Sequence, residues 1–230
     1  AAALRAHHAQ PAGLERSLSR NGRFITLEGG DGSGKSSQAV ALRDLMLEHD
    51  YPVLLTAEPG GTEFGREIWG FFTGEVSSGT ELSAVAELFL FEADRAQHVA
   101  EVLQPALEDG INVICSRFVD STLAYQGYGR GLNHDQLRAV NHVATGGLLP
   151  DLTLLLDIPV EVGLARKRGE AVSDRIGREE RDFHERVRQG FLELAKREPR
   201  RFVVIDAGQA ESRVTGLCWA VVSHVLDSLD

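Results

Sequence analysis

Five short apolar runs, separated by longer mixed segments, set the hydrophobic pattern of the chain from residue 22 onward. These runs contain few polar residues, which is typical of strands that are covered on both faces within a parallel sheet. They predict strands at 24–27, 53–56, 111–115, 152–156 and 202–205.

The segments between these runs have an amphipathic pattern and predict helices. They span 36–49, 63–73, 81–108, 134–146, 160–168, 178–197 and 212–229, and the longest of them fits either one helix or two. The alternation predicts an α/β fold with a five-stranded parallel sheet and helices on both faces. Ligands of such sheets bind at the carboxyl ends of the strands, so the residues that follow each strand are candidates for a functional site.

A glycine-rich sequence follows the first predicted strand and fits the P-loop pattern G-x-x-x-x-G-K-[ST]. A strand before it and a helix after it are the context that this motif requires, which disfavours a chance glycine-rich turn. Lys35 is predicted to reach the β- and γ-phosphates of a nucleotide, and the Ser36 hydroxyl to hold Mg²⁺. The predicted nucleotide-binding residues are Gly29, Gly30, Asp31, Gly32, Ser33, Gly34, Lys35, Ser36 and Ser37.

Kinases, GTPases and motor ATPases share this motif, so other residues must distinguish between them. Phe91 and Arg95 lie four residues apart, on one face of a predicted helix. A ring and a guanidinium so placed are suited to stack on a flat base and hydrogen-bond its edge. The alternative is a core Phe91 with Arg95 paired to Glu92, and the spacing alone leaves both open.

Polar residues also follow the third predicted strand. Arg117 comes directly after it, where a guanidinium can clamp a phosphate. Thr122 and Gln126 follow at helical spacing, and the Gln126 amide suits either a base edge or a helix cap.

A basic segment after the fourth strand contains Arg166, Arg168 and Arg175. We interpret it as a short mobile lid at about 166–178 that closes over a transferring phosphoryl group. The alternative is a solvated basic loop.

Composition narrows the possible partners. The chain has 24 Lys and Arg against 34 Asp and Glu, a net charge of −10, which argues against a general nucleic-acid binder.

Cys115 and Cys218 lack metal-ligand spacing and are predicted to be buried, reduced thiols. No apolar stretch approaches the ~18 residues of a membrane span. Residues 1–21 lack the apolar core of a secretory signal and are predicted to be a disordered N-terminal extension, which leaves 22–230 as one domain.

Together these motifs resemble those of bacterial thymidylate kinases, collinearly from about residue 23 to the C-terminus. The resemblance rests on the segments 28–36, 58–62, 91–95, 120–126 with Arg117, 150–153, 174–176 and 183–184. It implies a P-loop NTPase fold in a single nucleoside monophosphate kinase domain. It also implies phosphoryl transfer from MgATP to dTMP, giving dTDP and ADP for dTTP synthesis, by a cytoplasmic homodimer without nucleic-acid or membrane partners.

The resemblance further implies roles for individual residues. Asp31 would contact the sugar 3′-hydroxyl, Phe91 would stack on thymine, and Arg95 and Gln126 would read its edge. The full predicted substrate-binding set is Asp31, Glu58, Pro59, Phe91, Arg95, Arg117, Thr122 and Gln126. Gly32 stands where some members carry an arginine, so the lid would supply the catalytic cation. The predicted catalytic set is therefore Lys35, Arg117, Arg166, Arg168 and Arg175.

Four positions depart from the pattern of the family. Ala57 and Trp69 stand where many relatives have arginine, Ser116 where they have aspartate, and Gly177 where they often have glutamate. The first two changes remove positive charge near the acceptor phosphate, and the third removes a carboxylate, although Ser116 can still bind Mg²⁺ through water. A kinase for another pyrimidine monophosphate and a weakened, nucleotide-binding regulatory protein are the alternatives. The intact P-loop and base-reading residues favour an active enzyme.

Overall fold

A computed structural model of the chain describes residues 22–73, 82–167, 176–177 and 179–227. Its strands are β1 (Phe24–Glu28), β2 (Val53–Ala57), β3 (Asn112–Ser116), β4 (Leu152–Asp157) and β5 (Phe202–Asp206). They form one parallel sheet in the order β2-β3-β1-β4-β5. The predicted α/β fold is confirmed, and each predicted strand agrees with the structure to within one residue at either end. The predicted extension at 1–21 lies outside the described residues.

Helices connect the strands. They are α1 (Lys35–Glu48), α2 (Glu63–Thr73), α3 (Ala84–His98), α4 (Gln104–Glu108), α5 (Val119–Thr122), α6 (His134–Thr145), α7 (Val160–Lys167), α8 (Arg181–Arg197) and α9 (Glu211–Asp227). A π-helical turn at Val99–Leu103 joins α3 to α4, so the segment 81–108 is helical from residue 84 without an intervening loop. The turn lies just before Pro105, which has no N–H to donate to the preceding turn.

Two helical boundaries differ from the predicted ones. The helix expected from 178 begins at Arg181, because Glu180 has an extended backbone, and residue 178 lies outside the described part. A helix at Val119–Thr122, continued by a π-helical segment at Leu123–Gly129, was not predicted. Glycine disfavours helices, and Gly127 and Gly129 concealed this one in the sequence.

Helices cover both faces of the sheet. On one face α1 and α9 pack against β1, β4 and β5 and bury Leu42, Met46 and Val222 completely. On the other face the π-helical segment and α8 bury Phe191 and Leu194. Burying a large apolar side chain of this kind contributes about 1.5–3 kcal/mol. These two layers cover the sheet from both sides.

The register of the sheet brings three strand ends together. Leu27 of β1 lies opposite Ser116 of β3 on one side and Leu154 of β4 on the other. The P-loop after β1 therefore lies beside Arg117, which follows β3.

Cys115 and Cys218 are free and buried, as predicted. Within the described ranges, no helix has the length and apolar character needed to cross a membrane.

Candidate active site

The P-loop leads directly into the N-terminus of α1. Gly34 has a left-handed backbone with φ of 91°, and the first intrahelical bond runs from Gln38 N to Gly34 O at 3.0 Å. The N–H groups of Lys35, Ser36 and Ser37 therefore have no partner within the helix and point out of its positive end. Such an end is suited to bind an anion.

Lys35 lies folded into the P-loop and is buried. Its Nζ donates to Gly29 O at 3.0 Å, Gly30 O at 2.7 Å and Ser33 Oγ at 3.2 Å. Burial and the neighbouring charge of Arg117 lower the pKa of Lys35 to about 7. A phosphate in the loop would favour the charged form again, because opposite charges at short range stabilise each other.

A large open cleft, here called the outer cleft, extends from the P-loop along the strand ends and spans about 1670 Å³, including its solvent-open part. Ser36 and Ser116 both line it, so both predicted metal-binding hydroxyls face one space. Ala57 and Trp69, two of the positions that depart from the family pattern, line it as well.

A second space, here called the inner cavity, adjoins the outer cleft and encloses about 520 Å³. All eight predicted substrate-binding residues line the inner cavity, together with Trp69, Asp94, Ser121, Tyr125 and Ile176. The fold thus brings residues from six separate segments of the chain to one site.

Phe91 is part of an aromatic stack on the wall of the inner cavity. Its ring lies 4.4 Å from that of Phe72 with an interplanar angle of 14°, and Phe72 lies 5.8 Å from Trp69. Phe72 is buried and supports Phe91 from behind. Phe91 is half-buried, packs on Phe72 and lines the inner cavity.

Arg95 is almost completely buried and held by several acceptors. Its Nε donates to Glu58 at 2.9 Å, and its Nη1 donates to Glu92 at 2.6 Å and to Thr122 at 2.8 Å. The pairing with Glu92 that the spacing left open is therefore present, and Arg95 still lines the inner cavity. Arg95 Nη1 also donates to Asn141 at 2.8 Å, and its Nη2 donates to Phe118 O at 3.2 Å. Since a guanidinium only donates hydrogen bonds, the second Nη2 N–H, which has no acceptor among the described residues, is the donor that Arg95 can offer the cavity.

Asp31 is the centre of a charged cluster between the two spaces. Its Oδ1 accepts from Arg117 Nη2 at 2.7 Å and from the Tyr125 hydroxyl at 3.0 Å, and its Oδ2 accepts from Lys167 at 3.0 Å. Burial opposes ionisation of Asp31, but the charges of Arg117, Lys35 and Lys167 outweigh it and hold its pKa below the ordinary value. Asp31 is therefore an ionised acceptor at neutral pH.

Glu28 holds the turn that carries Arg117. Its Oε1 accepts from Phe118 N at 2.7 Å and Ser121 N at 3.2 Å, and its Oε2 accepts from Ser121 Oγ at 2.6 Å. Arg117 itself has a left-handed backbone with φ of 71°, which is uncommon for a side chain of its size. Burial and the charge of Asp120 raise the pKa of Glu28 to about 7.

The start of the predicted lid contacts the P-loop. Arg166 Nη1 lies 3.4 Å from both Gly32 O and Ala207 O, and Lys167 bonds to Asp31 as described above. Arg168 and Arg175, the other two predicted catalytic lid residues, lie outside the described residues.

Sequence reasoning missed Tyr125, Lys167 and Asp94 as members of the site. The only signal for Tyr125 and Lys167 in the sequence is that they are next to the predicted site residues Gln126 and Arg166. Asp94 Oδ1 accepts from Gly60 N at 3.0 Å, and burial and the charge of Glu58 raise its pKa to about 6. No spacing in the sequence signals that contact, because it joins residues 34 positions apart.

Comparisons by sequence and by structure both find thymidylate kinases among known proteins. A family model described as thymidylate kinase matches residues 27–216. A thymidylate kinase of Synechococcus sp. (strain JA-3-3Ab) is 50% identical over 199 residues, or 86% of this chain and 94% of the relative. One from Desulfovibrio desulfuricans is 49% identical over 210 residues, covering 88% and 96% of the two chains. The crystal structure of thymidylate kinase from Ehrlichia chaffeensis is similar with a TM-score of 0.70 at 32% identity, covering 88% of this chain and 99% of that chain.

Proposed function

The chain belongs to the thymidylate kinase family, and from this premise we propose how its residues perform the reaction. The enzyme transfers the terminal phosphoryl group of ATP to dTMP and releases dTDP and ADP. The observation that supports our assignment of residues is the inner cavity, which collects the whole predicted substrate-binding set beside the P-loop. The comparisons give no support to a kinase for another pyrimidine or to a regulatory protein without turnover.

The P-loop binds the triphosphate of ATP. Residues 29–37 present backbone N–H groups and the positive end of α1, which fit an anion of this size. Lys35 leaves the loop carbonyls for the β- and γ-phosphates, where the opposite charge restores its protonated form.

The Ser36 hydroxyl would hold Mg²⁺, and Ser116 would hold it through a water molecule. Both hydroxyls line the outer cleft, and oxygen ligands with retained waters suit this metal. When bound, Mg²⁺ neutralises charge on the β- and γ-phosphate oxygens.

The acceptor dTMP occupies the inner cavity. Thymine stacks on Phe91, and Arg95, Thr122 and Gln126 contact its edge, while Glu58 and Pro59 form the wall where the cavity meets the outer cleft. Asp31 accepts a hydrogen bond from the sugar 3′-hydroxyl, which fits an ionised carboxylate.

Arg117 binds the acceptor phosphate at the junction of cavity and cleft. An oxygen of that phosphate attacks the γ-phosphorus of ATP, and the bond from the γ-phosphorus to the bridging oxygen breaks, leaving ADP. Lys35 and Arg117 neutralise charge as it shifts between the phosphates. The lid arginines Arg166, Arg168 and Arg175 complete this positive lining on closure.

The enzyme acts as a cytoplasmic homodimer in this proposal. An apolar face on α2 and α3 supports the dimer: Phe64, Phe71, Val85 and Phe89 are 38–56% exposed there. The two helices pack against each other, and exposed apolar residues grouped in this way mark protein interfaces. We call these four residues the apolar face.

A coupled ADP-release assay with MgATP tests the proposal. It compares dTMP, dUMP, dCMP, UMP, CMP and AMP at equal concentration. We expect dTMP to be fastest, with turnover on the order of 1–100 s⁻¹ as in other kinases. Lys35→Ala should lower kcat at least ~10²-fold, since loss of one charge-stabilising donor has an effect of this size.

Lys196→Ala is the matched control, because Lys196 is an exposed lysine on α8 whose ammonium group pairs with Glu193 and, among the described residues, with no other side chain. It should retain full activity. If every acceptor is inactive while ATP still binds, the catalytic assignment is wrong.

A further inference from the structure

The side-chain amide of Gln126 is held in one orientation by a buried ion pair. Gln126 is 1% exposed and lines the inner cavity. Its Nε2 donates to Glu87 Oε1 at 2.9 Å. The same carboxylate accepts from Arg130, with Nε to Oε1 at 3.1 Å and Nη2 to Oε2 at 3.0 Å. Glu87 is fully buried, so this contact is shielded from water.

The ion pair determines which end of the amide faces Glu87. A carboxylate that accepts from two nitrogens of one guanidinium, here Nε and Nη2 of Arg130, is ionised and only accepts hydrogen bonds. A flipped Gln126 amide would place its oxygen against that carboxylate, and two acceptors at ~3 Å repel each other. Gln126 Oε1 is therefore turned away from Glu87, and no described residue donates a hydrogen bond to it.

The inner cavity thus presents a fixed acceptor at Gln126 and a fixed donor at Arg95. This acceptor and this donor complement a pyrimidine that has an N3–H group beside a carbonyl oxygen at C4. A 4-aminopyrimidine has the reverse pattern, since its N3 accepts and its amino group donates. Buried polar groups that are left unpaired discriminate strongly between such bases.

We propose that Glu87 and Arg130 are positioning residues that set base specificity by fixing the Gln126 amide. Through this contact the enzyme selects 4-oxopyrimidine nucleotides over 4-aminopyrimidine nucleotides. This inference rests on the proposed function, because it requires the base to bind in the inner cavity.

The test compares kcat/KM for dUMP and dCMP, which differ only at N3 and C4 of the base. In Glu87→Gln the new amide can turn either end toward Gln126, so the Gln126 amide loses its fixed orientation. We expect the dUMP:dCMP ratio to fall at least ~10-fold, which corresponds to one hydrogen bond of about 1.4 kcal/mol.

Glu179→Gln is the matched control. Glu179 bonds to Arg130 Nη1 from the opposite side, at 2.6 Å, and does not contact Gln126. Its substitution should leave the dUMP:dCMP ratio within ~2-fold of the wild-type value, because the bonds from Arg130 to Glu87 remain.

The outcomes separate this inference from the proposed function. If wild-type enzyme phosphorylates neither dTMP nor dUMP, the proposed function fails. If wild type is active but Glu87→Gln lowers kcat/KM for dUMP and dCMP by the same factor, Glu87 is only structural and the inference is overturned. Should Glu87→Gln show no cooperative thermal transition, Arg130→Gln replaces it. Glutamine removes both the charge and the two-point contact that hold the Glu87 carboxylate in place, so the same ratio must fall.

Discussion

Two carboxyl groups beside the inner cavity, Glu28 and Asp94, hold protons to unusually high pH. Burial is the largest cause for both, and a neighbouring carboxylate adds to it. Their environments favour the neutral form because the surrounding protein solvates charge less well than water. Both residues support the site through backbone hydrogen bonds to the turns that carry Arg117 and Gly60.

Asp94 gives a testable pH dependence. Its pKa is raised from 3.8 to about 6, so between pH ~4 and ~6 the folded state keeps a proton that the unfolded chain has lost. The free energy of unfolding therefore falls as pH rises through this window, by on the order of 3 kcal/mol. Asp94→Asn does not titrate and keeps an acceptor for Gly60 N. The Tm of the variant minus that of wild type should grow by roughly 6–12 °C from pH 4 to 6 and stay constant above.

Thermal unfolding of both proteins from pH 4 to 8 measures this difference. Other acidic groups titrate in both proteins, so their effects on Tm cancel in the difference. A Tm difference that does not change with pH would show that Asp94 has an ordinary pKa.

At the scale of elements, α7 docks on the P-loop through two glycines. A Cβ on Gly32 would lie 2.1 Å from Gly163 O, and a Cβ on Gly163 would lie 2.3 Å from Asp31 O. Gly32 also has a positive φ of 70°, which side chains rarely adopt. The backbone of α7 thus occupies the space that an arginine at position 32 would need. This supports the proposal that the lid, and not position 32, supplies the catalytic cation.

Gly163→Ala should disturb this docking. We expect a loss of about 1–3 kcal/mol of stability, as for other overpacked contacts, and a lower kcat because the P-loop backbone must shift. Gly216→Ala on α9 is the matched control, since its added methyl group meets no atom within 4 Å. It should increase stability by about 0.5–1 kcal/mol, as alanine is the better helix former.

Denaturant unfolding and the ADP-release assay together measure these effects. Equal stability and equal kcat in wild type and Gly163→Ala would show that α7 does not need this close approach.

At the scale of the whole molecule, the apolar face is the feature that a single chain does not explain. Val85 and Phe89 are one helical turn apart on α3, and Phe64 and Phe71 are two turns apart on α2. A twofold axis would pair this face with itself, which is the usual arrangement of homodimers.

Phe89→Glu should convert the proposed dimer to monomers. Each interface would then contain two buried carboxylates without partners, and burying such charges costs several kcal/mol each. Val40→Glu is the control, because Val40 is also exposed and apolar but lies on α1. Analytical ultracentrifugation measures the mass of both variants. A Phe89→Glu protein that sediments as a dimer would place the contact elsewhere, and a monomeric wild type would contradict the proposed dimer.

The sequence by itself determined the five strands, the P-loop and the helices other than the helical segment at 119–129. Those features depend on local periodicity and on the spacing of residues along one segment, such as the helical interval from Phe91 to Arg95. The resemblance added the substrate class, and family membership is confirmed by the comparisons.

Only the tertiary structure decided the contacts between segments. Arg95 meets Glu58, which lies 37 residues away, and Gln126 meets Glu87, which lies 39 residues away. The docking of Gly163 on the P-loop likewise joins distant residues. Such pairings depend on how elements pack in space, and the residues within one segment do not reveal which distant segment they will contact. The sequence could therefore name Gln126 as a candidate, but only the fold shows which atom of its amide meets the cavity.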